Sequence, residues 1–307
     1  MSLLYLLEEI RFPALDSLML LLTRLGEETA FLVIALIVFW CVDKRKGYYL
    51  LSVGFLGTLA NQFLKLSCRV PRPWVKDPNF TIVEQAREAA AGYSFPSGHT
   101  QNAVGTFGCL AYTAKKKWAK ALFIALMTLV AFSRMYLGVH FPSDVLVGAG
   151  MALLLVVFLQ PVVFGGDEKK MKLLLAGMIA VSVLFVLYVE LWKFPADMDA
   201  HNLESGYKNA YTMLGCTIGA AIVYAADRKK LDFPVEAIWW IQIIKVVVGL
   251  ALVLAVKEGL RSPLEAVFGG HMAARGVRYF LIVITAGILW PLSFKKLSKI
   301  GKAKEKK

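Results

Sequence analysis

Long apolar runs alternate along the chain with short charged blocks. Phe31 to Val42, Tyr48 to Leu66, Gly98 to Tyr112, Trp118 to Phe132, Val145 to Phe164, Met171 to Val189, Asn209 to Ala226, Val235 to Val256 and Val277 to Trp290 carry almost no charge. A helix needs ~20 residues to cross hydrocarbon, so the shorter runs must borrow polar residues at their ends. The pattern predicts an all-α fold, a polytopic membrane bundle of about nine transmembrane helices. Residues 1–27 read differently. Leu15, Leu18, Met19, Leu22 and Leu25 recur at helical spacing, with Asp16 and Ser17 near the start and Arg24 opposite. That is the pattern of an amino-terminal helix lying in the membrane interface. Arg11, Pro13 and Asp16 interrupt the competing reading, a tenth span. Leu3 to Ile10 is too short for a cleavable leader, lacks a basic flank and contains Glu8 and Glu9.

Composition agrees with lipid contact. The chain of 307 residues is 58% hydrophobic, with a mean hydropathy of +0.59. Soluble domains are usually less than half apolar. A net charge of +13 would suit a nucleic-acid partner if it formed one basic face. Here it is divided. Lys44-Arg45-Lys46, Lys115-Lys116-Lys117, Lys169-Lys170, Arg228-Lys229-Lys230 and the tail from Lys295 to Lys307 follow every second span. By the positive-inside rule these blocks are cytoplasmic, the amino terminus is outside and no nucleic-acid partner is expected. The tail reads as a topology anchor touching acidic head groups. Cys41, Cys68, Cys109 and Cys216 match neither a zinc site nor a disulfide framework and read as packing residues.

The same parity brings four polar groups to one membrane face. Lys65 and Arg72 lie at the end of the second span and just past it. Ser97-Gly98-His99 open the third, Ser133-Arg134 close the fourth, and His140 and Asp144 open the fifth. Pro71 and Pro73 interrupt any helix at Arg72, presenting its guanidinium on irregular backbone. Pro96-Ser97-Gly98 reads as a turn into a helix N-terminus, a ready anion site. Pro142 suits the first turn of the next helix, where His140 and Asp144, four apart, can share a side. Three cations, a helix N-terminus, two imidazoles and one carboxylate suit a phosphate whose charge is held while a histidine attacks it.

Lys65 followed after six residues by Arg72-Pro73, then Pro96-Ser97-Gly98-His99, then Ser133-Arg134 with His140 and Asp144, resembles the complete three-part signature of the type 2 phosphatidic acid phosphatase (PAP2) family. The resemblance covers residues 48–160 strongly. The amino-terminal helices and span number are also similar to the glucose-6-phosphatase branch. It implies that His140 attacks phosphorus to form a phosphohistidine, with Asp144 orienting the ring. His99 would protonate the leaving oxygen and later activate water. Lys65, Arg72, Arg134, Ser97 and the Gly98 N–H would hold the phosphoryl oxygens. No metal or cofactor is implied, in keeping with four histidines and no HExxH spacing. The chain then divides into interfacial helices (1–27), a catalytic helix core (28–164), and further transmembrane helices with a basic tail (165–307).

The implied reaction is hydrolysis of a phosphate monoester or diphosphate, on a lipid whose tails stay in the bilayer, at the non-cytoplasmic face of a cell membrane. A lipid phosphotransferase, a sugar-phosphate phosphatase and, from another class, an anion transporter are the alternatives; the soluble haloperoxidases that share the signature do not span membranes. Oligomeric state is not legible. His201 and His271 lack a catalytic context, and Arg69 reads as a solvated loop residue, in a loop whose stretch from Val83 to Ala91 reads as a short helix ending at Gly92. Asn61 reads as structural, and Trp74 and Tyr93 as interfacial anchors. Lys245 interrupts an apolar span near its middle and should face the bundle or a wet cavity. With Arg275 and Arg278 it is a candidate substrate contact, the last spans walling the path of the lipid.

Overall fold

A computed structural model describes residues 1–300, and within them the fold is all-helical with no strand. In chain order the helices are α1 (Ser2–Glu9), α2 (Pro13–Thr23), α3 (Glu28–Cys41), α4 (Lys44–Cys68), the single turn α5 (Pro73–Lys76), α6 (Gly98–Thr113), α7 (Lys117–Tyr136) and α8 (Pro142–Phe164). Then come α9 (Glu168–Leu191), α10 (Ala200–Ala226), α11 (Trp239–Gly259), α12 (Arg261–Val267), α13 (Ala273–Ile284) and α14 (Phe294–Ile300). Six helical stretches are long and apolar enough to cross a membrane: Lys117–Tyr136, Pro142–Phe164, Glu168–Leu191, Ala200–Leu231, Trp239–Val267 and Ala273–Ile300. The other three expected spans are helical, but α3 is shorter and α6 has only 16 residues. α4 is long enough, but Lys44, Arg45, Lys46 and Lys65 dilute its apolar content. Part of the expected basic tail, residues 301–307, lies outside the described residues.

The described residues form two compact units. The first comprises residues 1–32, 52–161 and 193–206. Its axis is α6, buried along most of its length although it carries Thr100, Gln101, Asn102 and Thr106. A polar helix can be central because small residues let neighbours close in, as membrane helices do when packing replaces the hydrophobic drive. A Cβ at Gly105 would meet Val53 at 3.2 Å, and one at Gly108 would meet Val156 at 3.3 Å.

α1 and α2 pack on protein. Met19 joins Tyr136, Leu137 and Val139 in a buried cluster that also takes Val83, Ala86 and Ala90 from the loop after α4. Arg11 ties this region together, donating from Nε to Tyr136 O at 2.9 Å and from Nη1 to Thr81 O at 2.8 Å. Leu18, expected on the inward stripe of α2, is exposed together with Leu21. The short helix expected over 83–91 is instead two 3₁₀ turns, Glu84–Ala86 and Glu88–Ala90. Burying Val83, Ala86 and Ala90 on the end of α7, with Val83 N donating to Leu137 O, overrides the helical pattern. Gly92, with φ +79°, ends the segment in a conformation that favours glycine.

The second unit comprises residues 33–51, 162–192 and, among the described residues, 207–300. Within it Trp40 Nε1 donates to Ala286 O at 2.8 Å, and Lys44 bridges Asp227 at 3.1 Å and Asp232 at 2.9 Å.

α8 offers a test of how tightly the first unit is built. A Cβ at Gly148 would lie 2.7 Å from the carbonyl oxygen of Ser97, whereas one at Gly150 meets nothing within 4 Å. Alanine gains about 1 kcal/mol over glycine in a helix interior, but a clash with backbone costs about 1–3 kcal/mol. Gly148→Ala should therefore lower the thermal unfolding midpoint in detergent, while Gly150→Ala leaves it unchanged or raises it. Equal effects would show that Gly148 tolerates the methyl.

Candidate active site

Five helix ends and one loop of the first unit build the site. Lys65 stands in the last turn of α4 and Arg72 just ahead of α5. Ser97 is the N-cap of α6 and His99 lies in its first turn. Arg134 lies in the last turn of α7, His140 in the turn after it, and Asp144 in the first turn of α8. All of the residues expected to hold or attack phosphate thus fall in one unit.

His140 is buried, and its ring is gripped on both nitrogens. Arg72 Nη1 lies 2.9 Å from Nε2. Nδ1 lies 3.4 Å from Asp144 Oδ2 and 3.4 Å from Ser94 Oγ. A guanidinium only donates, so Nε2 must accept and the proton belongs on Nδ1, toward the carboxylate. Asp144 Oδ2 also accepts from Phe141 N at 2.9 Å and from the Ser94 hydroxyl. Burial, then the charges of Arg72, Arg134 and Lys65, hold the imidazole well below the ordinary histidine range. The neutral ring, with its free electron pair on Nε2, is the nucleophilic form.

The cations are held by backbone. Arg72 donates from Nε to Gly92 O at 2.9 Å, from Nη1 to Val139 O at 2.8 Å and from Nη2 to Ala91 O at 3.2 Å. Burial lowers its pKa to about 10, against the pull of Asp144, so it remains charged at neutral pH. Lys65 Nζ donates to Tyr93 O at 2.7 Å. Arg134 is fully buried and donates from Nη1 to Thr23 Oγ1 at 2.7 Å. Its Nε and Nη2, and Nε2 of His99, are buried without a partner among the described residues. Buried donors left this way are costly unless something else satisfies them, and an oxyanion would.

The Ser97 side chain caps α6, accepting from Thr100 N at 3.4 Å and Thr100 Oγ1 at 2.9 Å. Its own N–H donates to Asp144 O at 3.0 Å, which locks the start of α6 to the start of α8. The Gly98 and His99 amides, first-turn N–H groups without an intrahelical partner, add further donors at this helix end. No group of three or more His, Cys, Asp or Glu suited to a metal ion occurs among the described residues.

The model of the PAP2 superfamily matches residues 45–165, and that of the PAP2 superfamily phosphatase transmembrane extension matches residues 211–304. The chain belongs to the PAP2 superfamily. It is a membrane phosphatase of that family. Phosphatidylglycerophosphatase B of Bacillus subtilis is 32% identical over 173 residues, covering 52% of this chain and 79% of that protein. Sphingosine-1-phosphate phosphatase 1 of Rattus norvegicus is 24% identical over 254 residues, covering 78% of this chain and 58% of that one. Undecaprenyl-diphosphatase BcrC of Bacillus subtilis is 29% identical over 143 residues, covering 46% of this chain and 71% of that relative.

Three expected substrate contacts in this PAP2 chain have other partners. Lys245 lies in the second turn of α11, not mid-span, because the helix begins only at Trp239. Its ammonium donates to Pro234 O at 3.1 Å and Val235 O at 3.0 Å and sits 4.6 Å from the Phe294 ring centroid. It closes the turn ahead of its own helix. Arg275 donates to Thr212 Oγ1 at 2.8 Å, and Arg278 is buried beside Tyr279. All three belong to the second unit. Conversely, Ser94 and Thr23 were not expected in the site. Ser94 lies three residues before Ser97, which hints at its role. Nothing in the pattern of α2 marks Thr23.

Among the described residues, Thr23 is the one hydrogen-bond partner of the Arg134 guanidinium. Thr23→Val keeps the shape and removes the acceptor. A hydrogen bond to a charged group contributes about 1.5–3 kcal/mol. The variant should lose about that much stability and raise KM, whereas Thr23→Ser should behave like wild type in both assays. Matching behaviour of valine and serine would remove the hydroxyl from the site.

Proposed function

We propose that this PAP2 phosphatase hydrolyses a phosphate monoester or diphosphate of a lipid through a phosphohistidine at His140. The arrangement of His140 supports the reading most directly, with one nitrogen turned to Asp144 and the other to a guanidinium. In the first half-reaction Nε2 attacks phosphorus, the bond to the lipid oxygen breaks, and His99 gives that oxygen a proton. In the second, His99 takes a proton from water, water attacks phosphorus, and the P–N bond breaks to release inorganic phosphate and neutral His140. Lys65, Arg72, Arg134, Ser97 and the Gly98 amide carry the charge of the transferring group.

A lipid substrate is supported by the names of the relatives, which include phosphatases of phosphatidylglycerophosphate, sphingosine 1-phosphate and undecaprenyl diphosphate. It is also supported by the site's position at helix ends. We read nine spans, with α3, α4 and α6 completing the six apolar ones, and α1–α2 at the interface. The site is then on the non-cytoplasmic face, opposite the basic blocks.

Purified enzyme in detergent should release phosphate from a panel of lipid phosphates without an added acceptor. His140→Ala should remain folded and inactive. Substantial turnover by that variant would overturn the covalent route, and release only after an acceptor alcohol is supplied would make the enzyme a transferase. Orthovanadate should inhibit competitively, and EDTA should not.

The acid limb of kcat/KM should report His140. Protonation disables the nucleophile, and a lowered pKa keeps it neutral to lower pH. The limb should therefore fall below the ordinary histidine value of about 6.5. A limb at or above that value would contradict the environment of His140. For sidedness, an impermeant maleimide should reach the exposed Cys68 from the outside of sealed right-side-out vesicles. Labelling only after permeabilisation would reverse the topology.

A further inference from the structure

Residues 193–206 belong to the first unit but lie outside both stretches matched by the family models, 45–165 and 211–304. At the end of this segment Asp199 caps α10. Its Oδ1 accepts from Asn202 N at 2.8 Å, and its carbonyl accepts from Leu203 N at 3.2 Å, the usual N-cap pattern. The same Oδ1 accepts from Asn202 Nδ2 at 2.7 Å. That bond fixes which way the Asn202 amide points, so Oδ1 is the acceptor on the other side. Tyr93 N donates to it at 2.8 Å.

The backbone at Tyr93 is where two cations are anchored. The Tyr93 carbonyl accepts from Lys65, and those of Gly92 and Ala91 accept from Arg72. The fit is close: a Cβ at Gly92 would lie 2.3 Å from Asn202 Oδ1. Asn202 itself is 6% exposed although it follows an open loop. Lys65 and Arg72 repel one another, and their carbonyl partners lie on a loop without regular backbone pairing. Something outside the loop has to fix it.

We propose that Asn202, oriented by Asp199, is a positioning residue of the phosphatase. It fixes the backbone of residues 91–93, whose carbonyls aim Lys65 and Arg72 at the phosphoryl group. The segment ahead of α10 is then part of the active-site structure. The proposal rests on the hydrolase reading above and deepens it.

The test compares Asn202→Ala, Asn202→Asp and the double variant Asp199→Asn/Asn202→Asp with wild type. KM and kcat are measured on a lipid phosphate monoester, and orthovanadate Kd is measured by thermal shift in detergent. Asn202→Ala removes the acceptor. Asn202→Asp keeps it but sets two carboxylates against each other. Both should raise KM and vanadate Kd about tenfold, the scale of one hydrogen bond, with kcat less affected. In the double variant the amide at 199 relieves the charge clash by donating from Nδ2 to the carboxylate at 202, at some cost to the cap that Asp199 Oδ1 now provides, so both constants should fall well below those of Asn202→Asp. A lowered unfolding midpoint with unchanged vanadate Kd would reduce Asn202 to a structural role and overturn the proposal. A double variant no better than Asn202→Asp would do the same. If wild type releases no phosphate, the hydrolase reading fails, and the vanadate series still decides whether Asn202 positions the anion site.

Discussion

Everything around the site answers one difficulty: three cationic side chains are gathered about a histidine with one carboxylate among them. Buried charge is tolerated only when paired or hydrogen-bonded. Here most of the partners are carbonyl oxygens, those of Ala91, Gly92, Tyr93 and Val139, joined by the Thr23 hydroxyl. A carbonyl cannot follow a side chain that moves. Its position is set by the loop that carries it, so the site is only as well defined as residues 91–93 and 137–140. The buried cluster of Met19, Val83, Ala86, Tyr136, Leu137 and Val139 fixes the second of these and the approach to the first. Packing beneath the loops is therefore an electrostatic device as much as a hydrophobic one.

The candidate set was named from the sequence because two independent signals agreed. Counting spans returned Lys65, His99, Arg134 and His140 to one face, and the spacing of Arg72-Pro73, Pro96-Ser97-Gly98-His99 and Asp144 named a chemistry. The structure gathers all of these residues in the first unit. The supporting groups were not legible. Thr23, Ser94 and Asn202 act through one short polar side chain each, with no period and no charge. The carbonyls they serve with have no residue signature at all. Hydropathy also misread two local features. It expected a helix over 83–91, where burial on α7 favours tight turns, and it centred a span on Lys245, which reaches back to Pro234 and Val235. In both cases a hydrogen bond or a packing contact outside the window decided the outcome.

The contact between Arg72 and His140 carries the argument one step further. The Arg72 guanidinium donates to Nε2 of His140, the atom that attacks phosphorus in the proposed reaction. An arriving phosphoryl group has to come between them. Its oxygens take over the donor that Nε2 gives up, so the nucleophile is released as the anion binds. The same substitution supplies partners to Arg134 Nε, Arg134 Nη2 and His99 Nε2, which have none among the described residues. Arg72 and Arg134 set against Asp144 leave a formal excess of one positive charge, and protonation of Lys65 as the anion binds would add a second, toward the charge of a phosphate monoester dianion. A neutral or singly charged ligand would leave donors unpaired in a buried site, a loss of about 1–3 kcal/mol for each. In the proposed reaction, preference for a terminal phosphate would rest on these unpartnered donors, before any contact with the lipid chain is considered.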